Sequence, residues 1–504
     1  MSLLAVDIGS SACKAVVFAN SGELLASHSA AYAPDFPRPG FVEIDPNYFW
    51  QAVCVTTQQA TKNITDPVRA LCLSSHGETL IPVDARGEAI GAAILNQDSR
   101  ASEEAMWIEN TLGRKSLFEI TGQVAQPAYP IAKILWLRKY DPTLFTATAR
   151  FVSVTDFVLL RLGLPPYIDH SLASRFLAFD IRRRCWAEEI LAAAELSKER
   201  LPIPVPASTI AGKLNASAAS QLGLRAGTPV VVGGHDQPCG ALGTGILGPG
   251  PVLDSIGTYE SVLAASDAPC LTDAALAASL NTYCHVVPDK FVTLAYFPSG
   301  IMVKWFHDLL YKGGAEGHAA NGNREAAEAE HYSFLESQAP AGPTGLCVTP
   351  HLIGTGTPDF DPEARAVIAG LNPATGRTHI YKGILEGVAC ELAQITGLLE
   401  EAVGDFQDIR VIGGGTRSAL GLRLRAAMTG KRLHTMRCQE SVCLGGAILA
   451  GVAAGEFRSI RQAVEQMVQE SATLWPEPAV AAAYIRQIQR YRGLRSALAQ
   501  AQNT

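Results

Sequence analysis

Two distant stretches of this chain share one layout. DIGSSACKAVVFA (Asp7 to Ala19) and PVLDSIGTYESVLA (Pro251 to Ala264) each run strand, small-residue turn, strand. The apolar alternation and the Gly-Ser or Gly-Thr turns are the local signature of a hairpin. Around each hairpin, helical patterns alternate with short apolar runs, which is the signature of α/β layers. A chain that opens two such units predicts two α/β halves, each beginning with its own meander and the second starting near Gly243. Two hairpins that face each other can cradle phosphates from both sides through backbone N–H groups and hydroxyls. Two unrelated surface turns are the plain alternative.

The 504 residues agree with two large domains or three of ordinary size at ~150 residues each. Apolar residues make up 48% and charged residues 18%, which excludes a disordered chain. The formal net charge of −7 sets aside nucleic acid and anionic membranes as electrostatic partners. The 11 cysteines form no CxxC pair, so free thiols in a reducing cytoplasm are expected rather than a zinc or redox site. The N-terminus MSLLAVDIG has no basic region and does not read as a signal peptide. The run Leu444 to Gly455 is too short and Gly-rich to span a membrane.

Coarse elements follow from periodicity. Strands are expected at Leu3 to Asp7, Cys13 to Ala19, Leu24 to Ser29, Val68 to Ser74, Leu80 to Val83 and Pro229 to Val232. A helix is expected at Tyr48 to Thr61, and the tail from Ile460 to Gln500 reads as helical. Gly313 to Gly345 is polar and Ala/Gly-rich and reads as an exposed insertion.

Several familiar motifs fail on context. There is no GxxxxGK[ST], and the GxGxxG at Gly243, Gly245 and Gly248 is followed by Pro249 and Pro251, which block the helix a dinucleotide site requires. His76 and Glu78 form HxE, but Pro238-Cys239 is not followed by the second cysteine of a zinc deaminase.

Three places carry chemistry. Asp7 ends an apolar strand and precedes Gly9, Ser10, Ser11 and Lys14, a carboxylate beside a turn that phosphate can approach; a turn cap with a solvated lysine is the alternative. Asp236 lies past a strand and two glycines, at the mouth of an open sheet where α/β ligands bind. It also suits an N-cap for a helix from Gln237. Gly413, Gly414, Gly415 and Thr416 follow a strand and precede a helix near Ser418, so a flat base or ribose can press on the backbone.

Taken in order, these pieces resemble the FGGY family of carbohydrate kinases over nearly the whole chain, Leu3 to Gly455. DIGSSACK resembles the first phosphate motif, GGHDQPCGALG the segment with the family's catalytic aspartate, DSIGTYESV the second phosphate motif, and VIGGGTRS the adenosine motif. AVIAGLNPATGRTHIYKGILEGVA (Ala366 to Ala389) resembles the C-terminal signature, with Gly370, His379 and Glu386 kept and Gly383 where Ala or Ser is usual.

The resemblance implies two ribonuclease H-like domains of the actin and hexokinase type, 1–243 and 244–504, with the active site in the cleft between them. It implies ATP and Mg²⁺ as cofactors, a small-molecule sugar as substrate, and often a homodimer. Asp236 is then the base that takes a sugar proton, and Asp7, with Asp236, the anchor for Mg²⁺. Gly9, Ser10, Ser11, Lys14, Gly257, Thr258, Gly413, Gly414, Gly415, Thr416 and Ser418 are the ATP contacts. His76, Gly77, Glu78, Asp98, Arg100, Asp236 and Gln237 are the sugar contacts.

His76-Gly77 resembles the xylulose kinases and Glu78-Thr79 the glycerol kinases, so the run is a hybrid. Asn96 stands where relatives carry a Trp that packs on a sugar face, and Arg423 and Ala427 replace a Gln and an Asp common in relatives. The reading is an ATP-dependent kinase of a ketopentose, ketohexose or polyol. A nucleotide-binding regulator of the same fold, or a glycerol-type kinase, is the alternative.

Overall fold

The computed structural model describes residues 1–312 and 324–502, so part of the expected insertion, 313–323, lies outside the described residues. The described remainder of that insertion includes a helix, Arg324–Ser337.

The first sheet begins with the expected meander: β1 (Ser2–Ile8), β2 (Ala12–Ala19) and β3 (Leu24–Ala31), paired antiparallel. β4 (Val68–Ser75) joins β1 in parallel. An edge strand, β5 (Ile210–Lys213), pairs antiparallel with β6 (Pro229–His235), which lies parallel to β4. The sheet order is β5-β6-β4-β1-β2-β3.

The second sheet repeats this plan. β7 (Val252–Ile256) and β8 (Tyr259–Ser266) form the second hairpin. β9 (Asn281–Cys284) and β10 (Phe291–Pro298) continue it antiparallel. β11 (Asp408–Ile412) and β12 (Arg432–Met436) then add in parallel, and β13 (Glu470–Leu474) closes the edge antiparallel. The order is β9-β10-β8-β7-β11-β12-β13. Strand for strand, β10-β8-β7-β11-β12-β13 matches β3-β2-β1-β4-β6-β5. That duplicated topology is the expected pair of ribonuclease H-like units.

In each half the fifth strand of the plan feeds a helix into the centre of the molecule. β6 leads into α1 (Asp236–Gly243), and β12 leads, after a short loop, into α2 (Ser441–Ala453). The two helices cross at their glycines. A Cβ on Gly243 would lie 1.8 Å from the Ser441 carbonyl oxygen, and one on Gly445 would lie 2.0 Å from that of Cys239. α2 also lies on the first sheet, with Gly446 against Ala5 and Cys72. Leu3, Val16, Cys239, Leu444 and Ile448 therefore share one buried cluster drawn from both halves.

Two expectations are corrected. The tail is not one helix: β13 interrupts it because Leu474 and its neighbours pair with β12 and complete the second sheet. The strand expected to stop at Val232 runs on through Gly233 and Gly234 to His235, because those glycines let it press on its neighbours. A Cβ on Gly233 would lie 2.2 Å from the Leu73 carbonyl, and one on Gly234 2.4 Å from Val286 Cγ1. No helix among the described residues is long and apolar enough to cross a membrane, and all 11 cysteines are unpaired.

Candidate active site

The carboxyl ends of β1, β4 and β6 are neighbours in one parallel arrangement, and they bring three sequence-predicted regions together. Asp7 stands at the end of β1, in register with Ser74 on β4 and Lys14 on β2. Ser74 Oγ donates to Asp7 Oδ1 at 3.0 Å. Burial pushes the Asp7 carboxyl up to about 6, against the pull of the Ser74 hydrogen bond and the Lys14 charge.

Asp236 is the first residue of α1 and not its N-cap; that position belongs to His235, which makes no side-chain capping bond. The capping alternative is therefore corrected, because β6 runs longer than expected. The Asp236 side chain is 25% exposed, with its Oδ1 3.3 Å from His235 Nε2. His235 is held neutral: burial pushes its imidazole down to about 3. Tyr283 OH lies 3.3 Å from the other ring nitrogen, Nδ1. Asp236 itself is pushed up to about 8, first by burial and then by the negative charges of Asp7 and Glu78. Asp7 and Glu78 are thus near enough for their charges to act on Asp236.

Glu78 is held by residues absent from the sequence-derived set. Its backbone is left-handed, with φ of 63°, which is strained for a residue with a Cβ. Arg175 Nε donates to Glu78 Oε1, and Arg175 Nη1 donates to Gln123 Oε1 at 2.6 Å. The guanidinium lies 5.2 Å from the Tyr129 ring and 5.1 Å from the Tyr283 ring. Lys133 Nζ donates to the carbonyls of Glu78 at 2.7 Å and Leu95 at 2.8 Å. Burial penalises the Glu78 charge, but the Arg175 guanidinium, by its charge and its hydrogen bond, with Lys133, pulls its carboxyl below the usual range. Gly77 permits this packing: a Cβ there would lie 3.1 Å from the His235 ring and 3.2 Å from Arg175 Cγ. No local pattern marks Arg175, Gln123 or Lys133, which lie on an insertion far from the loop they hold.

Several expected sugar ligands are otherwise engaged. His76 places Nδ1 2.9 Å from the Ile8 carbonyl, which ties the loop to β1, and Nε2 2.6 Å from Thr79 Oγ1 within the loop itself. Asp98 accepts from Val42 N at 2.6 Å and from the Arg100 guanidinium at 2.7 Å. Arg100 also pairs with Glu43 at 2.6 Å and stacks 3.9 Å from the Phe41 ring. The Asp98–Arg100 pair thus braces the loop in the ligand-free structure. Buried acceptors without a protein partner are found instead on Asn96 Oδ1 and Gln237 Oε1.

The turns expected to meet ATP include the tips of the opening hairpins of the two sheets. Gly9 N donates to Ala12 O at 2.9 Å, which closes the first turn, and Tyr32 OH donates to the Gly9 carbonyl. Gly257 and Thr258 are exposed at the tip of the second. That tip is braced by Gly300 N, which donates to Gly257 O at 3.2 Å. Gly413 and Gly415 are packed against β7: Cβ atoms there would lie 2.6 Å from Ile256 O and 2.2 Å from Ile256 Cγ2. Two of the three glycines thus serve the contact between the adenosine and phosphate motifs, and only Gly414 is open. Ser418 Oγ accepts from Gly421 N at 2.9 Å as a helix cap. Arg423 is exposed and pairs with Glu477 at 3.0 Å, and Ala427 is buried. The Arg423 substitution therefore faces outward.

Family comparisons match this geometry. Residues 2–243 match the N-terminal domain model of the FGGY family of carbohydrate kinases, and residues 254–454 match its C-terminal domain model. The chain belongs to the FGGY family. It is 26% identical to the xylulose kinase of Bacillus subtilis over 499 residues, covering 98% of this chain and 95% of that one. It is 30% identical to the glycerol kinase of Citrifermentans bemidjiense over 474 residues, 90% of each chain. The fold superposes on a ligand-bound xylulose kinase from Lactobacillus acidophilus with a TM-score of 0.89 at 22% identity, covering 99% of this chain and 98% of the other. This FGGY chain is accordingly an ATP-dependent carbohydrate kinase.

Proposed function

We propose that this FGGY kinase transfers the γ-phosphoryl group of ATP to a hydroxyl of an uncharged ketose or polyol, with Asp236 as general base. One observation carries the reading. Asp7, near the end of β1, and Asp236, just past the end of β6 in the same sheet, lie within electrostatic reach of each other and of Glu78. Residues 1–243 form the sugar side and 244–504 the nucleotide side.

Each residue has a physical task. Glu78, fixed by Arg175, accepts hydrogen bonds from sugar hydroxyls. The cations of this pocket, Arg175 and Lys133, are already engaged by Glu78, Gln123 and backbone carbonyls, so the pocket favours a neutral polyol over an acid sugar. Asp236 takes the hydroxyl proton as the oxygen attacks, a contribution of typically ~10²–10⁴ in rate. Thr258, the Gly257 N–H and Lys14 offset charge on the transferring group, since positioning and electrostatics do most of the work in phosphoryl transfer.

The site also fits Mg²⁺. Among the described residues no three His, Cys, Asp or Glu side chains form a protein cage for a metal. Mg²⁺ is usually held by one or two carboxylates with water and substrate phosphates, and the repelling pair Asp7 and Asp236 supplies that. Bound there, the ion offsets the charge of the β- and γ-phosphates.

The test is a panel of ketopentoses, ketohexoses, 6-deoxy ketoses, alditols and glycerol, scored by ADP release. One or more of these raises the rate well above basal ATP hydrolysis. Asp236→Asn removes nearly all turnover while ATP still binds; a variant that keeps a tenth or more of kcat would falsify the role of Asp236 as base.

A further inference from the structure

Lys14 lies directly across from Asp7 in the first hairpin, yet its ammonium faces the other half of the molecule. Both oxygens of Glu440 accept from Lys14 Nζ, at 2.8 and 2.7 Å. Glu440 is the residue before α2, in the N-cap position, but its side chain makes no capping bond. The carboxylate is committed to Lys14 rather than to the amides of its own helix.

The placement of Glu440 is set by the core. α2 is seated on the first sheet through Gly446 and on α1 through Gly445. The preceding residue, Gln439, is anchored by donating to Met436 O at 2.8 Å, and its Oε1 accepts from Thr416 Oγ1 at 3.5 Å. Gln439 and Glu440 therefore join the glycine turn of the second half to the phosphate turn of the first. The paired side chains are 38% and 30% exposed, open enough for a charged ligand to compete. Asp7 belongs to the same cluster: Lys14 pulls its carboxyl down and Glu440 pushes it up.

We propose that Glu440 is a positioning residue for the nucleotide: it holds Lys14 in the ligand-free enzyme and yields it to the polyphosphate. The inference rests on Lys14 lying at the phosphate site. A polyphosphate carries several negative charges against the single charge of Glu440, so it wins Lys14 on binding. When the product nucleotide leaves, Glu440 recaptures the ammonium, which favours release. Glu440 thus weakens nucleotide binding in exchange for turnover.

The experiment measures Kd for ATP and ADP by calorimetry, with and without Mg²⁺ and without sugar, on the full chain. Wild type is compared with Glu440→Gln, Glu440→Asp, Lys14→Met and the Lys14→Met/Glu440→Gln double variant. A partly exposed ion pair contributes little to folding, so melting temperatures stay close to wild type. Glu440→Gln tightens both nucleotides by about threefold or more, because Lys14 is released from its competitor. Glu440→Asp, which keeps the charge, stays near wild type, and Lys14→Met weakens binding by about tenfold. In the Lys14→Met background the Glu440→Gln gain disappears, as a shared interaction requires. Equal or weaker binding by Glu440→Gln, or a gain that persists without Lys14, overturns the proposal. Weakening seen only when Mg²⁺ is present overturns it in favour of a role at the metal. A wild-type chain that binds no nucleotide overturns the kinase reading itself.

Discussion

Asp236, the proposed base, has surroundings that resist its ionisation. Burial and the charges of Asp7 and Glu78 hold its carboxyl at about 8 in the ligand-free site. The base form is the ionised one, so activity grows as pH rises toward and through that value. The kcat/KM profile, which reports the free enzyme, is therefore expected to climb between pH 6 and 8. Removing a neighbouring negative charge favours ionisation, so Asp7→Asn moves that limb to lower pH even as it lowers the rate. A flat profile over that range, or a limb that moves upward in Asp7→Asn, counts against this electrostatic coupling. Asp7, Glu78 and Asp236 were legible as residues because each sits at a strand end or in a small-residue loop. Arg175, which holds Glu78 in its left-handed backbone, was not, because no local spacing connects positions 78 and 175.

At the scale of elements, glycines decide how closely the parts approach. The sequence marked Gly243 and Gly245 as a failed dinucleotide motif. In the fold, Gly243 is where α1 meets α2, with backbone where a Cβ would go. Gly243→Ala must push the helices apart, and overpacking of this kind costs typically ~1–3 kcal/mol. A lowered denaturation midpoint with an unchanged slope in chemical unfolding is the expected result; wild-type stability would show that the crossing tolerates a Cβ. The adenosine turn teaches the same lesson. Its three glycines were readable as a backbone a ligand can approach, but Gly413 and Gly415 are required by Ile256.

Across the whole molecule, two sheets of matching topology meet through the α1–α2 crossing. The phosphate turns belong to different sheets, and Tyr283 of the second sheet reaches His235 of the first sheet and Arg175 of the first half. With the sugar proposed on one side and the nucleotide on the other, joint binding is expected to draw the halves together and exclude water that would compete for the γ-phosphate. Small-angle scattering is expected to show a smaller radius of gyration with an accepted sugar and a non-hydrolysable ATP analogue than with either alone. An unchanged radius with both bound argues that the cleft is already closed.

By itself the amino-acid sequence determined the duplicated α/β plan, the strand ends that carry Asp7 and Asp236, and the order of motifs shared with the FGGY family. These are local properties: alternation, turn chemistry and small residues beside charged ones are written within a few positions. Only the tertiary structure decided which charges are available to a ligand. Asp98 and Arg100 neutralise each other, Ser418 caps a helix, and His76 is tied to β1. Arg175 and Glu440 enter the site from remote segments. Availability depends on which groups share a desolvated space, and long-range packing, not spacing along the chain, brings those groups together.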